Sequence, residues 1–262
     1  MIIDFHAHAF PDELAKKAIP LLEEEGGVKA CLDGRISSLI ASMDGAGIDA
    51  SIIASIATKP EQFRSILNWS QSIASDRIIP FPSVHPQDPK MLDHMGEIIA
   101  AGFRGIKLHP YYQGFCVDDE SLYPLYQKLE SSGSILLLHT GFDIAFERKR
   151  IADPIRTIKV LHRFPKLKLI ATHIGAWQDW HEVERHILGK PIFIDTSYSL
   201  QFMNKGEARE ILMTHPKDFL LYGSDSPWGD QRQSIEDVRQ LELPEDRIGA
   251  VLGNNAQRLL DL

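Results

Sequence analysis

Two histidines stand one residue apart in the stretch DFHAH, positions 4–8, at the end of the first apolar run. A β-strand sends alternate side chains to opposite faces, so His6 and His8 on a strand would share a face and could meet one metal ion. A bare H-x-H also describes two half-buried histidines, and a metal site needs three or four protein groups. The other apolar runs supply candidates, ending in His85 (SVHP), Lys107 and His109 (IKLHP), His139 (LLLHTG), His173 (ATHIG) and Asp225 (YGSDSPW). Taken singly, a strand-end histidine is more often a hydrogen-bonding group, an Asp-Ser-Pro triplet a turn, and a lysine a rim residue reaching solvent. Taken together, imidazoles and a carboxylate at the ends of several strands form a donor set for a divalent ion.

The runs that carry these tips are Met1–Phe5, Asp49–Ala57, Ile78–Val84, Phe103–Leu108, Ser134–Thr140, Leu167–His173, Ile192–Thr196 and Phe219–Asp225. They are apolar on both faces, as parallel strands covered by helices are, and helical periodicity fills the segments between them. Asp119, Asp153 and Ser234 read as N-caps, and Gly47, Gly102 and Gly133 as helix stops. A last helix is expected over Glu245–Leu260. Eight strand–helix units in a chain of 262 residues fit a single-domain α/β (β/α)8 TIM barrel (~250 residues), and no G-x-G-x-x-G or phosphate loop favours an open nucleotide-binding sheet. Catalytic groups of a barrel come from the C-terminal strand ends, where the polar tips lie. Alternation places Leu137 under His139, Ala171 under His173 and Gly223 under Asp225, so all the tips are expected to face one mouth. The long first connection, residues 9–34, would lie over that mouth as a lid.

Composition narrows the partners. The formal net charge is −8 and the only tight basic run is Arg148-Lys149-Arg150, which argues against nucleic acid or an anionic membrane surface. Two distant cysteines, Cys31 and Cys116, fit free thiols in a reducing compartment. The N-terminus shows no basic stretch before an apolar segment, and no run approaches the ~20 residues that span a bilayer, so a cytoplasmic protein is expected.

The constellation resembles the amidohydrolase superfamily of metal-dependent barrel enzymes. Within it the chain is most similar to the amidohydrolase-2 group, which includes aminocarboxymuconate-semialdehyde decarboxylase and related aromatic-acid decarboxylases as well as hydrolases. The resemblance spans nearly the whole chain through DFHAHAFPDELA, SMDGAGID, IIPFPSVHP, GFRGIKLHPYYQGF, LLLHTGFD, LIATHIGAW, IDTS, LYGSDSPW and LGNNAQRLL. It implies His6, His8, His139 and Asp225 as ligands of a divalent ion, zinc first, with manganese, cobalt, nickel or iron as alternatives. Asp225 and His173 become the acid–base groups, and Asp4 a buttress behind a ligand. In binuclear members a lysine on the fourth strand is carbamylated and bridges two ions. Lys107 occupies that place, but the decarboxylase-like members use one ion, so one ion is expected, with Lys107 pairing a substrate carboxylate. His109, Tyr111, Tyr112, Trp177 and Trp228 are candidate pocket residues. The resemblance implies a small-molecule substrate and leaves a homo-oligomer open. The leading function is hydrolysis of an ester, lactone or amide by metal-activated water; the alternative is nonoxidative decarboxylation of an aromatic or unsaturated acid. A noncatalytic metal-binding barrel is a third reading, disfavoured by the proton-accepting Asp225 among the donors.

Overall fold

Each of the eight apolar runs forms a parallel strand: β1 Ile3–Ala7, β2 Ala50–Ala54, β3 Ile78–Phe81, β4 Gly105–Leu108, β5 Ile135–Leu138, β6 Lys168–Ala171, β7 Phe193–Asp195 and β8 Leu220–Leu221. The structure is a computed structural model that describes residues 1–262. Strands β1–β3 pair in one ladder and β4–β8 in another. Two seams join the ladders into a (β/α)8 barrel. At the β8–β1 seam Phe5 N donates to Tyr222 O at 2.8 Å and Asp225 N to His6 O at 2.7 Å. The β3–β4 seam is thinner for a covalent reason. Phe81 O accepts from Ser55 N beside β2, so the alternate residues Pro80 and Pro82 face β4, where they have no N–H to donate. Pro82 O still accepts from Lys107 N at 2.9 Å.

Inside the ring Ile3, Phe5, Ile52, Phe81, Leu137, Ile170 and Leu221 pack together with Leu259 and Leu260. The last two come from the C-terminal helix Asn255–Leu260, which plugs the end where strands begin: Asn255 Nδ2 donates to Leu220 O at 2.8 Å. Burial of a side chain of this size contributes about 1.5–3 kcal/mol, so the plug fixes one end and leaves the other for chemistry. Side chains of opposite parity, such as Ile53, Ile106, Leu136 and Leu169, pack outward against the helices.

The capping signals held at Asp119 and Asp153, which accept from Ser121 N and Arg156 N. Ser234 is not a cap. The helix Gln231–Gln240 begins earlier, under Asp230, which accepts from Gln233 N, while Ser234 Oγ donates back to Asp230 O. The last helical stretch runs through Glu245–Gly249 and Asn255–Leu260, widened to a π-turn at Ala250–Asn254. Residues 9–34 contain a helix, α1 (Asp12–Gly26), that stands beside the strand C-termini. No helix is long and apolar enough to cross a membrane.

Candidate active site

At the strand C-termini, the end of β1 and the loop after β8 are stitched into one unit. Asp4, buried and pushed up to about 6 by that burial, points outward and accepts from Ser224 Oγ at 2.5 Å, Ser224 N at 2.9 Å and Gln231 Nε2 at 2.8 Å. The register of β1 on β2 slips between Asp4 and Ala7, a bulge that re-aims the following side chains. Asp4 therefore ties the loop down and does not touch the imidazole of His6. Gly223 is required here, because a Cβ would lie 2.9 Å from His6 Cβ. Two residues on, Asp225 adopts a left-handed φ of 61°, and its Oδ1 comes to 3.3 Å from His6 Nε2 and 3.2 Å from His8 Nε2.

The outer nitrogens decide how these atoms are used. His8 Nδ1 donates to the Ala54 carbonyl at 2.8 Å, and His6 Nδ1 donates to Asp195 Oδ2 at 3.0 Å. With Nδ1 spent, each Nε2 faces Asp225 as a lone pair unless its ring is an imidazolium, and His6 Nε2 also accepts from Lys107 Nζ. Burial, aided by Lys107, drives His6 well below its ordinary value and so opposes the imidazolium. Burial also opposes ionisation of Asp225, but His6 and His8 outweigh it and keep the carboxyl below its usual range. Two imidazole lone pairs and a carboxylate oxygen directed at one point are the donors of a divalent ion, each backed by a second contact, so the residues fit one.

Asp195 connects this group to the next. Its Oδ1 accepts from His173 N at 2.9 Å, Ser197 N at 3.1 Å and Ser197 Oγ at 2.5 Å. The expected alternation under His173 fails: Ala171 and Leu169 face outward with the helices, and Ile170 faces the barrel interior. His173 reaches the mouth because the chain leaves β6 through positive φ at His173 (61°) and Ile174 (54°). Its Nδ1 faces the Ser197 carbonyl at 2.9 Å and its Nε2 faces His139 Nδ1 at 3.0 Å. His139 Nε2 donates to the Phe142 carbonyl at 3.0 Å, so its Nδ1 is an acceptor. Both nitrogens of His173 therefore face acceptors, a position suited to carrying a proton and handing it on.

His139 thus stands apart from the three convergent donors. It stacks on His109 with centroids 4.0 Å apart, and His109 Nε2 lies 3.3 Å from Asp143 Oδ2. Burial pushes both imidazoles well below their ordinary values. His109 Nδ1 is buried without a partner. Gly141 lets the β5 loop approach the β6 loop: it has φ 89°, and a Cβ there would lie 2.1 Å from Trp177 N. Lys107 is fully buried on the floor, its Nζ donating to His6 Nε2 at 3.0 Å, and burial pushes the ammonium down to about 8.

The imidazoles of both groups, Lys107, Asp143 and Asp225 open into one cavity of about 630 Å³. His6, His8, Lys107, His109, Tyr112, His139, His173, Trp177, Asp225 and Trp228 all line it; Tyr111 does not, its hydroxyl donating to Lys149 O. His85 also lies outside, its Nδ1 accepting from Gln87 N. Sequence reasoning missed Asp195, Ser197 and Asp143. Asp195 ends the seventh apolar run and Asp143 follows His139 by four residues, so the strand-end rule extended to both positions would have found them.

Solved structures with the same architecture include an uncharacterized TIM-barrel protein from Bordetella bronchiseptica, 19% identical, covering 99% of this chain and 98% of its own, with a TM-score of 0.78. A 5-carboxyvanillate decarboxylase from Novosphingobium aromaticivorans, complexed with manganese, is 16% identical over 100% of this chain and 96% of its own, TM-score 0.73. A protein provisionally named 2-pyrone-4,6-dicarboxylic acid hydrolase, from Pseudomonas putida, is 16% identical over 99% and 97%, TM-score 0.68. At these identities the likeness shows the fold. No curated protein matches the sequence. The family model Amidohydro_2, described as amidohydrolase, matches residues 3–262, and the chain belongs to that family of metal-dependent enzymes.

Proposed function

We propose that the protein is a metal-dependent hydrolase that cleaves an ester, lactone or amide of a small molecule. The observation that carries this reading is the convergence of His6 Nε2, His8 Nε2 and Asp225 Oδ1, with both outer Nδ1 atoms anchored. These three would hold one divalent ion, zinc first and manganese among the alternatives; His139, the fourth ligand that the resemblance implies, would join them only by giving up its contact with His173. A bound divalent ion polarises a carbonyl and brings the pKa of water to about 7. Asp225 is placed to take the proton of the attacking water, and His173 to give one to the departing alcohol or amine. The products are an acid and that alcohol or amine, with one water consumed. The helix α1 closes one wall of the cavity and limits the access of bulk water.

One observation favours decarboxylation as a second reading: Lys107 puts a cation on the floor, where a substrate carboxylate could sit. Product analysis separates the two. Protein loaded with one ion per chain is incubated with esters, lactones, amides and aromatic acids. Acid plus alcohol or amine supports hydrolysis, whereas carbon dioxide release replaces it with the second reading. Elemental analysis giving two ions per chain would overturn the single-ion assignment.

A further inference from the structure

The charges that line the cavity are distributed unevenly. On the floor stand the imidazoles, Asp225 and Lys107. Lys107 is the sole lysine or arginine that lines any part of the cavity, and it is fully buried beside His6. From there to the mouth the wall is built by Leu14, Leu21 and Val28 of the first connection and by Ile56, Ile66 and Trp69 after β2, with uncharged polar side chains such as Gln62 among the last three. The remaining charges on the wall are the carboxylates of Glu25 and Asp143. The nearest basic run is used elsewhere: Arg150 pairs with Asp179 at 3.0 and 3.2 Å, and the Arg148 guanidinium lies 4.8 Å over the Phe142 ring.

At the mouth this apolar wall continues into open solvent. Leu14 and Leu21 are 50% and 54% exposed, and Ile144, which approaches α1 at Gly26, is 45% exposed. An uncharged, mainly apolar lining with exposed apolar ends marks a surface that something apolar covers, and about 630 Å³ holds a drug-sized molecule. A second anionic group on a substrate would find no cation along this wall. Deep in the cavity it would lose water beside Asp143, and nearer the mouth it would face the exposed carboxylate of Glu25; an unpaired charge so placed is disfavoured.

We propose that the cavity takes substrates with a single polar, reacting group on the floor and an uncharged aryl or alkyl body along the α1 wall, and that it rejects dianions. This rests on the reading above that the floor holds the reacting group. It applies to a neutral ester or lactone, whose carbonyl is the only polar group. For the second reading it limits the substrate to one carboxylate, placed at Lys107.

The test separates binding from turnover. Ion-loaded protein is titrated calorimetrically with phenyl alkyl ketones, which carry the carbonyl and the body but have no bond to hydrolyse, and with benzoate and terephthalate, an aryl monoanion and the corresponding dianion. Affinity is expected to rise about threefold to fourfold for each added methylene of the ketone. The second carboxylate of terephthalate should weaken binding at least ~10-fold relative to benzoate, as an unpaired charge would. Leu21→Arg, at a half-exposed position on the wall, should recover most of that loss. A flat chain-length series, equal or tighter binding of terephthalate than of benzoate, or no saturable binding of any ketone overturns the proposal. If the ketones behave as expected while no ester, lactone or amide is cleaved, the substrate class stands and hydrolysis falls. If dicarboxylated esters are the best substrates, hydrolysis stands and the substrate class falls.

Discussion

Two histidine–carboxylate groups share one cavity, and they are built differently. In His6, His8 and Asp225 the outer nitrogen of each ring is committed to a fixed acceptor, Asp195 or the Ala54 carbonyl, so both inner nitrogens point at one carboxylate oxygen. In His109, His139 and Asp143 the donors are also close together. There, however, His139 uses both nitrogens on His173 and the Phe142 carbonyl, and the outer nitrogen of His109 has no partner. The first group is posed for a cation. The second is mostly satisfied without one. Proximity of ligand types is therefore a weaker criterion than what holds the far side of each ring.

The largest expected effect breaks the first group directly. His6→Ala or Asp225→Asn should leave the dialysed protein without its ion by elemental analysis while its circular dichroism stays that of the wild type, because the barrel core lies below the site. Full metal content in either variant would remove that residue from the ligand set. His139→Ala should weaken retention less than either, since its nitrogens are engaged outside the convergent three.

The next effect falls on rate alone. His173 touches neither Asp225 nor His8 by a hydrogen bond, and both its nitrogens face acceptors. His173→Ala should keep the ion and lose turnover by ~10²–10⁴, the usual worth of a positioned acid or base. Unchanged turnover on an identified substrate would exclude the role.

How much of this was legible in the sequence depends on the regularity of the backbone. All eight strands follow from apolar runs bounded by polar tips, and the tips other than His85 do gather at one mouth. The strands are shorter than the runs, as in β8, where Phe219–Asp225 yields a ladder of only Leu220–Leu221. Beyond it the chain turns through positive φ at Asp225, as it does at His173, and a non-glycine residue in that conformation leaves no mark in the sequence. Alternation gave the correct face for His139 and failed for His173 for that reason. The bulge in β1 is equally silent in the sequence, so Asp4 read as a partner of His6 although the ring is held by Asp195, a residue 189 positions away.

That distant contact gives a smaller prediction. Asp195 fixes the Nδ1 proton of His6 and, through its other oxygen, the backbone turn at His173. Asp195→Asn should reduce ion affinity by ~10–100-fold, the usual cost of removing an outer partner of a metal ligand. The same variant should lower turnover even at saturating metal, because the His173 turn loosens. Wild-type affinity, measured by competition with a chelator, would mean that the outer contact does not pose the ring.

The smallest effect is expected in the second group, and it sharpens the comparison most. His109 is buried, with one nitrogen unpartnered and the other at a long 3.3 Å from Asp143. Its stacking on His139 is a contact between ring faces that an aliphatic side chain of similar size can replace. Removing a buried polar atom that lacks a partner is close to neutral for stability, or favourable. His109→Leu should therefore leave ion content and affinity at the wild-type level and the melting temperature equal or higher. If His109→Leu instead loses the ion while His8→Ala keeps it, the ion belongs to His109, His139 and Asp143, and the anchored nitrogens of His6 and His8 serve only the fold.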